Sequence, residues 1–259
     1  MMESLDAFFE SWGLEPIWNN LPRFMSGTIL TIEITALSVA LGLVLAVPMA
    51  LARVSYNPAL RVPVYCYILY FRGTPLLVQL FLIYYGSGQF RDALENAGLW
   101  VFFREPYFCA VLSLTLNTAA YTAEILRGAI QAVPIGEIEA ARACGMPRSL
   151  LYRRIILPKA ARLALPAYSN EVVFLFQATS LVSIITLMDL TGVGRVIISR
   201  SFRTFEVWIF VGLIYLAITY LIAWAFNKVE YRLMGHLRAS PDQKRAREAD
   251  RAHAAIATR

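Results

Sequence analysis

FMSGTILTIEITALSVALGLVLAVPMAL, residues 24–51, is an apolar stretch long enough to cross a lipid bilayer as a helix. A membrane helix needs roughly 20 predominantly apolar residues, each adding about 1.5 Å of length. Four further stretches reach this length: 62–85, 107–130, 163–187 and 205–226. We therefore predict an all-α membrane protein with five transmembrane helices.

The composition agrees with a chain that lies mostly in lipid. Hydrophobic residues make up 58% of the 259 residues and charged residues 16%. Soluble domains have about 45–50% apolar and about 25% charged residues. The apolar stretches are too long for buried helices of a soluble protein. The net charge of +6 follows the loops, as membrane orientation requires, so we expect no nucleic-acid partner.

Lys and Arg residues are concentrated in alternate loops. Seventeen of the 24 lie on one side of the predicted spans, in 52–61, 127–162 and 227–259. Six lie on the other side, in 1–23, 86–106 and 188–206. The positive-inside rule therefore predicts an N-terminus outside and a C-terminus in the cytoplasm. The loop 188–206 is an exception, because it lies outside yet carries Arg195, Arg200 and Arg203.

The sequence divides into three parts. Residues 1–23 have four acidic residues and one basic residue, whereas a secretory signal begins with positive charge. We expect an uncleaved periplasmic segment, either a short amphipathic surface segment or a loosely ordered tail. Residues 24–230 form the predicted transmembrane domain, and residues 231–259 form a cytoplasmic tail.

The cytoplasmic loop 133–158 reads VPIGEIEAARACGMPRSLLYRRIILP. Residues 137–144 favour a helix with acidic residues in its first turn. Gly145 suits a left-handed helix stop. A second helix is predicted at 148–156, ended by Pro158. The loop either joins another protein through this elbow or simply lies on the membrane surface.

The loop resembles the EAA loop of ABC-importer permeases. The resemblance is carried by Glu139, Ala140 and Ala141, then after three residues Gly145, and after nine more Ile155, Leu157 and Pro158. In that family the loop forms coupling helices that dock into a cleft on the nucleotide-binding subunit. The resemblance implies that these residues and Arg142 contact an ATPase, with 139–143 in the cleft and Gly145 setting the angle.

Residues 27–237 as a whole are similar to permeases for histidine, lysine, arginine and ornithine, and to opine permeases. The segments that carry this similarity are FRGTPLLVQ at 71–79, LNTAAYTAE at 116–124 and LPAYSNEV at 165–172. The resemblance implies a type I ABC-importer permease fold in a bacterial inner membrane. It also implies an M-type subunit with a Q-type second permease, an ABC ATPase dimer and a periplasmic solute-binding protein.

The sequence contains no G-x-x-x-x-G-K-[ST] phosphate loop, so we expect no ATP hydrolysis by this chain through that motif. A partner must then supply the ATPase. His236 and His253 are the only histidines and have no metal-ligand spacing, and the three cysteines have none either. We therefore expect a transport subunit without catalytic residues, metal or cofactor.

Polar groups within the spans are candidates for the substrate path, because such groups are costly in lipid and tend to face a partner or a wet cavity. The candidates are Arg72, Asn117, Asn170, Glu171, Ser180 and Ser183. Glu171 is the best candidate for the cationic group of an amino acid. We expect Ser180 and Ser183 to share a helical stripe with it.

A structural role is the alternative for the charged members of this set. Arg72 pairs with Glu171 or Glu124 in that case and holds helices together, while Glu124 has a structural or gating role. Gly73 and Pro75 predict a break in the helix whose freed carbonyls line a cavity.

An ion-coupled secondary transporter for amino acids is the alternative function. Such transporters normally have more spans and repeated halves, and the sequence shows no internal repeat. An ABC-type permease therefore accounts better for the sequence.

Overall fold

The computed structural model describes residues 15–234. The elements are α1 (Glu15–Trp18), α2 (Leu21–Arg53), α3 (Pro58–Gly73), α4 (Leu76–Ser87), a 3₁₀ turn (Gly88–Phe90), α5 (Arg91–Asn96), α6 (Trp100–Phe103), α7 (Pro106–Gln131), α8 (Ile135–Ala143), α9 (Arg148–Leu151), a π-helical segment (Tyr152–Ile156), α10 (Leu157–Ala178), a 3₁₀ segment (Thr179–Ile185), α11 (Leu190–Ser201) and α12 (Thr204–Met234). Within these residues no strand occurs, which confirms the all-α prediction for the described part. The part of the predicted surface segment before Glu15 lies outside the described residues. The tail after Met234, which contains both histidines, lies outside them as well.

Within residues 15–234, four helices are long and apolar enough to cross a membrane: Leu21–Arg53, Pro106–Gln131, Arg148–Ile185 and Thr204–Leu233. A fifth span results if α3 and the helical stretch after it are counted together, although they meet at an angle of 103°. The predicted second span, 62–85, is therefore a broken one. The prediction of a break beside Gly73 and Pro75 is confirmed.

Helix α7 forms the centre of the bundle, since 67% of its most apolar stretch is buried and α2, α3, α4 and α10 all pack against it. Gly42 of α2 lies close against α7, since an added Cβ would be 2.4 Å from Cγ2 of Thr118. Small residues at such crossings let membrane helices pack backbone against backbone. Helix α12 lies at the edge, with only 6% of its most apolar stretch buried.

The prediction that Pro158 ends a short second loop helix is wrong. Helix α9 continues through the π-helical segment into α10, so one helical rod runs from Arg148 to Ala178. The N–H of Leu157 donates to the carbonyl of Tyr152, five residues earlier. Proline lacks an N–H and its ring crowds the preceding turn. The wider π turn makes room for that ring, so the helix continues past the proline.

Candidate functional site

The break between α3 and α4 shapes the interior of the described part. Thr74 is extended, with φ −117° and ψ 146°, and Pro75, which has no N–H to donate, precedes α4. The carbonyls of Phe71 and Thr74 therefore lose their helical partners in a place where water is scarce. Each unsatisfied backbone group in such surroundings costs free energy, so a partner is required.

Gln79 supplies that partner. Its Nε2 donates to the carbonyl oxygens of Phe71 at 2.8 Å and Thr74 at 3.0 Å. Its Oε1 accepts from Nδ2 of Asn117 in α7 at 2.9 Å. Gln79 is 2% exposed. The side chain thus closes the break and ties it to the central helix, and the expected free carbonyls are occupied.

A cavity of about 360 Å³ lies beside this break, between α4, α7 and α10. Its lining residues are Thr74, Pro75, Leu76, Asn117, Tyr121, Glu171, Phe174, Leu175 and Ala178. Glu171 is the one carboxylate among them. Its Oε1 accepts a hydrogen bond of 3.0 Å from Oγ1 of Thr118. A carboxylate with neutral polar neighbours in such a cavity suits a cationic ligand.

Two of the six predicted path residues, Asn117 and Glu171, therefore meet in this cavity. Arg72 lies next to it with its guanidinium 5.3 Å from the ring centre of Tyr121. Within residues 15–234, Arg72 forms no ion pair with Glu171 or Glu124 at 4.0 Å or less. In the described residues the contact of the Arg72 guanidinium is therefore with an aromatic face.

The other three predicted residues lie elsewhere. Asn170 is exposed and does not line the cavity. Ser180 lines a separate cleft between α10 and α12, and Ser183 lines a cavity beside α11. The predicted stripe with Glu171 is wrong, because nine residues at about 100° each bring Ser180 to the opposite side of a helix. The change to a 3₁₀ helix at Thr179 shifts the phase further.

Glu124 has structural partners, as its predicted structural or gating role requires. Its Oε1 lies 2.5 Å from Nη2 of Arg127, and its Oε2 lies 3.9 Å from Nε of Arg53. The Arg53 guanidinium also lies 4.7 Å from the ring centre of Tyr65. This cluster connects the ends of α2 and α7 and the face of α3. Its charges are compensated within the chain and are less available to a ligand than Glu171.

Asp189 is a buried polar residue that the sequence did not reveal. Its oxygens accept hydrogen bonds from the N–H groups of Gly192 at 2.9 Å and Thr191 at 3.2 Å, so it caps α11. Burial raises the pKa of its carboxyl to about 6, against the lowering effect of these bonds. The next N–H, of Leu190, donates to Oγ1 of Thr31 in α2. This cap fixes α11 to the bundle.

The end of α8 is a defined turn. Gly145 has φ +77°, which confirms the predicted left-handed stop. The N–H of Met146 donates to the carbonyl of Ala141 at 3.1 Å, and that of Gly145 donates to Arg142 at 2.9 Å. This pair of bonds is a Schellman motif, in which the apolar residue after the glycine packs back on the helix. Met146 does so, beside Ala141.

The predicted coupling residues fall into two groups. Five are exposed: Glu139, Ala140, Arg142, Gly145 and Pro158. Three face the chain itself: Ala141, which is 7% exposed, and the partly buried Ile155 and Leu157. Ala141 packs with Leu151 and Ile156 against the end of α7. An ion pair between Glu137 and Lys159 also joins α8 to α10. Ala141 therefore fastens α8 to the bundle and does not face an outside groove.

Comparison with known proteins identifies relatives over most of the chain. Residues 38–235 match the family described as binding-protein-dependent transport system inner membrane component. The nopaline transport system permease protein NocM of Agrobacterium fabrum is 48% identical over 226 residues, which cover 87% of this chain and 94% of that protein. The histidine/lysine/arginine/ornithine transport system permease protein HisM of Escherichia coli is 42% identical over 237 residues, with 91% and 98% covered.

Solved structures agree with these relatives. A chain of an amino acid ABC transporter with histidines superposes with a TM-score of 0.73 at 35% identity, covering 83% of this chain and 96% of that one. A chain of the inward-facing MetNI methionine ABC transporter gives a TM-score of 0.69 at 20% identity, covering 83% and 98%. The second likeness shows the fold alone.

Replacing Gly145 by valine tests the turn. A β-branched residue in the left-handed region costs about 1–2 kcal/mol, so we expect Gly145→Val to loosen the end of α8. Amide hydrogen exchange at residues 144–146 should rise by about 5- to 30-fold. Gly136→Val in the same helix is the matched control, because Gly136 has no positive φ and open space around it. Equal exchange in both variants would contradict this description of the turn.

Proposed function

The chain belongs to the family of binding-protein-dependent transport system inner membrane components, and from this premise we propose that it carries basic amino acids or opines across a bacterial inner membrane. Membership makes it a multi-pass membrane permease subunit that works with a binding protein and a separate ATPase. We further propose that a second, Q-type permease chain faces it, as the resemblance to M-type subunits implies.

Glu171 is the observation that carries the proposed substrate class. Its carboxylate lies in a cavity of about 360 Å³, and ligand pockets in proteins measure about 300–1,000 Å³. The relatives are named for nopaline and for histidine, lysine, arginine and ornithine. Nopaline, histidine and the other three amino acids have in common a carboxylate and a nitrogen group that carries positive charge. A single carboxylate in the cavity complements that positive group.

The continuous rod from Arg148 to Ala178 supports a direct route from the coupling loop to the cavity. Glu171 lies 23 residues beyond Arg148, roughly 35 Å at the rise of an α-helix. Helix α8 is fixed to the base of this rod through Ala141 and the Glu137–Lys159 ion pair. A displacement of α8 by the ATPase therefore moves the helix that carries Glu171, and the cavity opens alternately to the two sides.

The exposed residues of the loop are the proposed contact with the ATPase. Glu139, Ala140 and Arg142 lie on the outer face of α8, and we assign this face to the ATPase cleft, without Ala141, which packs on the bundle. Gly145 sets the angle between α8 and the rod. With the loosened turn of Gly145→Val, ATP hydrolysis is expected to continue with reduced uptake, since the push on α8 no longer reaches the rod.

The charge distribution supports the proposed orientation. The loop 127–162 carries seven of the basic residues, and the positive-inside rule assigns it to the cytoplasm, where an ATPase has access. The bent pair of α3 and the helical stretch after it then counts as the second of five spans. Residues 1–23 are assigned to the periplasm, 24–230 to the permease domain with its loop at 133–158, and 231–259 to a cytoplasmic tail.

Uptake by the reconstituted system tests the proposal. The chain is co-purified with its ATPase, second permease and binding protein and placed in liposomes loaded with ATP. We expect uptake of at least one of arginine, lysine, histidine, ornithine, octopine and nopaline, dependent on the binding protein and inhibited by vanadate. Glutamate and leucine serve as acidic and apolar controls. Uptake driven by a proton gradient and insensitive to vanadate would instead indicate a secondary transporter.

Replacing Glu171 by glutamine tests the role of the carboxylate in the same assay. The variant keeps the size of the side chain and loses its charge. A hydrogen bond to a charged group contributes about 1.5–3 kcal/mol, so uptake of the basic substrate at low concentration should fall by about ten- to hundred-fold. Asn170→Ala is the control, because its exposed neighbouring position does not line the cavity. Unchanged uptake by Glu171→Gln would exclude the ligand role.

A further inference from the structure

A second polar cavity lies between the 3₁₀ segment and α11. It measures about 380 Å³ and does not include Glu171. Its polar side chains come from Ser183, Thr186, Arg195 and Ser199. Thr186 adopts the left-handed conformation, with φ 73°, and ends the 3₁₀ segment there. The chain turns at this point, so the cavity is formed between two helical elements that face each other.

Arg195 is the charged group of this cavity and is largely uncommitted. Within residues 15–234, its guanidinium makes one hydrogen bond, a long one of 3.5 Å from Nη1 to the carbonyl of Ser183. No carboxylate oxygen of the described residues lies within 4.0 Å of it. A guanidinium has five N–H donors in a planar fork that matches a carboxylate. Most of these donors are therefore available to a ligand.

The acid nearest to Arg195 in sequence is committed elsewhere. Asp189 is 0% exposed, and its two oxygens accept the N–H groups of Gly192 and Thr191. The hydroxyl of Tyr215 donates to it as well, at 3.5 Å. Because Asp189 is used to cap α11, it leaves the positive charge of Arg195 unneutralised. The cavity is consequently one that attracts an anion.

The two cavities follow one another along the same stretch of chain. Ala178 borders the cavity of Glu171, and Ser183 borders the cavity of Arg195. Ser183 is five positions after Ala178 along the 3₁₀ segment, roughly 10 Å at about 2 Å per residue. One cavity carries a negative group and the next a positive one. This order of charges suits a ligand with a cationic end and a carboxylate end.

We propose that the cavity of Arg195 is an outer subsite that binds the carboxylate of the transported amino acid or opine. This rests on the proposed function and extends it to a second residue. Arg195 receives the carboxylate when the ligand leaves the binding protein, and Glu171 binds the cationic end deeper in the bundle. The subsite also explains why Arg195 lies in the loop 188–206. The positive-inside rule places that loop outside, where basic residues are otherwise few.

Equilibrium binding to the purified ATPase–permease complex in nanodiscs tests this subsite. The probes are arginine, octopine, nopaline and arginine methyl ester, whose carboxylate is neutralised. Arg195→Gln should bind the carboxylate-containing probes about ten- to hundred-fold more weakly and leave the methyl ester unchanged. Arg195→Lys should retain part of the affinity as a point charge. Arg200→Gln, an exposed arginine on the same helix, is the control and should bind all probes as the wild type does.

Three results would overturn the subsite. The first is equal binding of arginine and the opines by Arg195→Gln and Arg200→Gln. The second is a parallel loss of affinity for the methyl ester in Arg195→Gln, which indicates a distorted fold. The third is a wild-type complex that binds none of the probes. If uptake of a basic substrate nevertheless occurs in liposomes, only the subsite fails. If uptake of all six proposed substrates is absent as well, the proposed function fails with it.

Discussion

The structure depends on one constraint, that backbone groups released inside a membrane must find partners within the protein. The break after Gly73 releases two carbonyls, and the amide of Gln79 binds both while Asn117 binds the amide in turn. This arrangement lets a span bend by 103° without leaving polar groups unpaired. The bend opens the cavity beside α7, and the carboxylate of Glu171 lies there because α10 passes the same place.

A second consequence concerns the proposed transmission of motion. A helix that stopped at Pro158 would separate the loop 133–158 from the helix that carries Glu171. The π-helical turn instead carries the helix past the proline, so loop and cavity share one rod. Gly145 and the Schellman motif fix α8 to its base. In the proposed function this rod is the lever between the ATPase and the cavity of Glu171.

The sequence predicted features that depend on a single residue type or on length. Gly145 was predicted because glycine tolerates the left-handed conformation, and the break at Gly73 because glycine and proline interrupt helices. The effect of Pro158 was mispredicted, since a wider turn compensates for it. Gln79 escaped prediction because its partner Asn117 is 38 residues away. The cap made by Asp189 is local, and an aspartate before a helix is a common N-cap, so this cap could have been predicted. Its burial could not, because α11 meets α2 there through Leu190 and Thr31, which are remote in sequence.

Uptake by a Gln79→Met variant tests the central claim most directly, because methionine has a similar length and can neither donate to the two carbonyls nor accept from Asn117. Leaving buried polar groups unpaired costs about 1–3 kcal/mol each. The account predicts a complex that assembles and elutes as the wild type does, with uptake of a basic substrate reduced by about ten-fold or more. Uptake at the wild-type rate by this variant would contradict it.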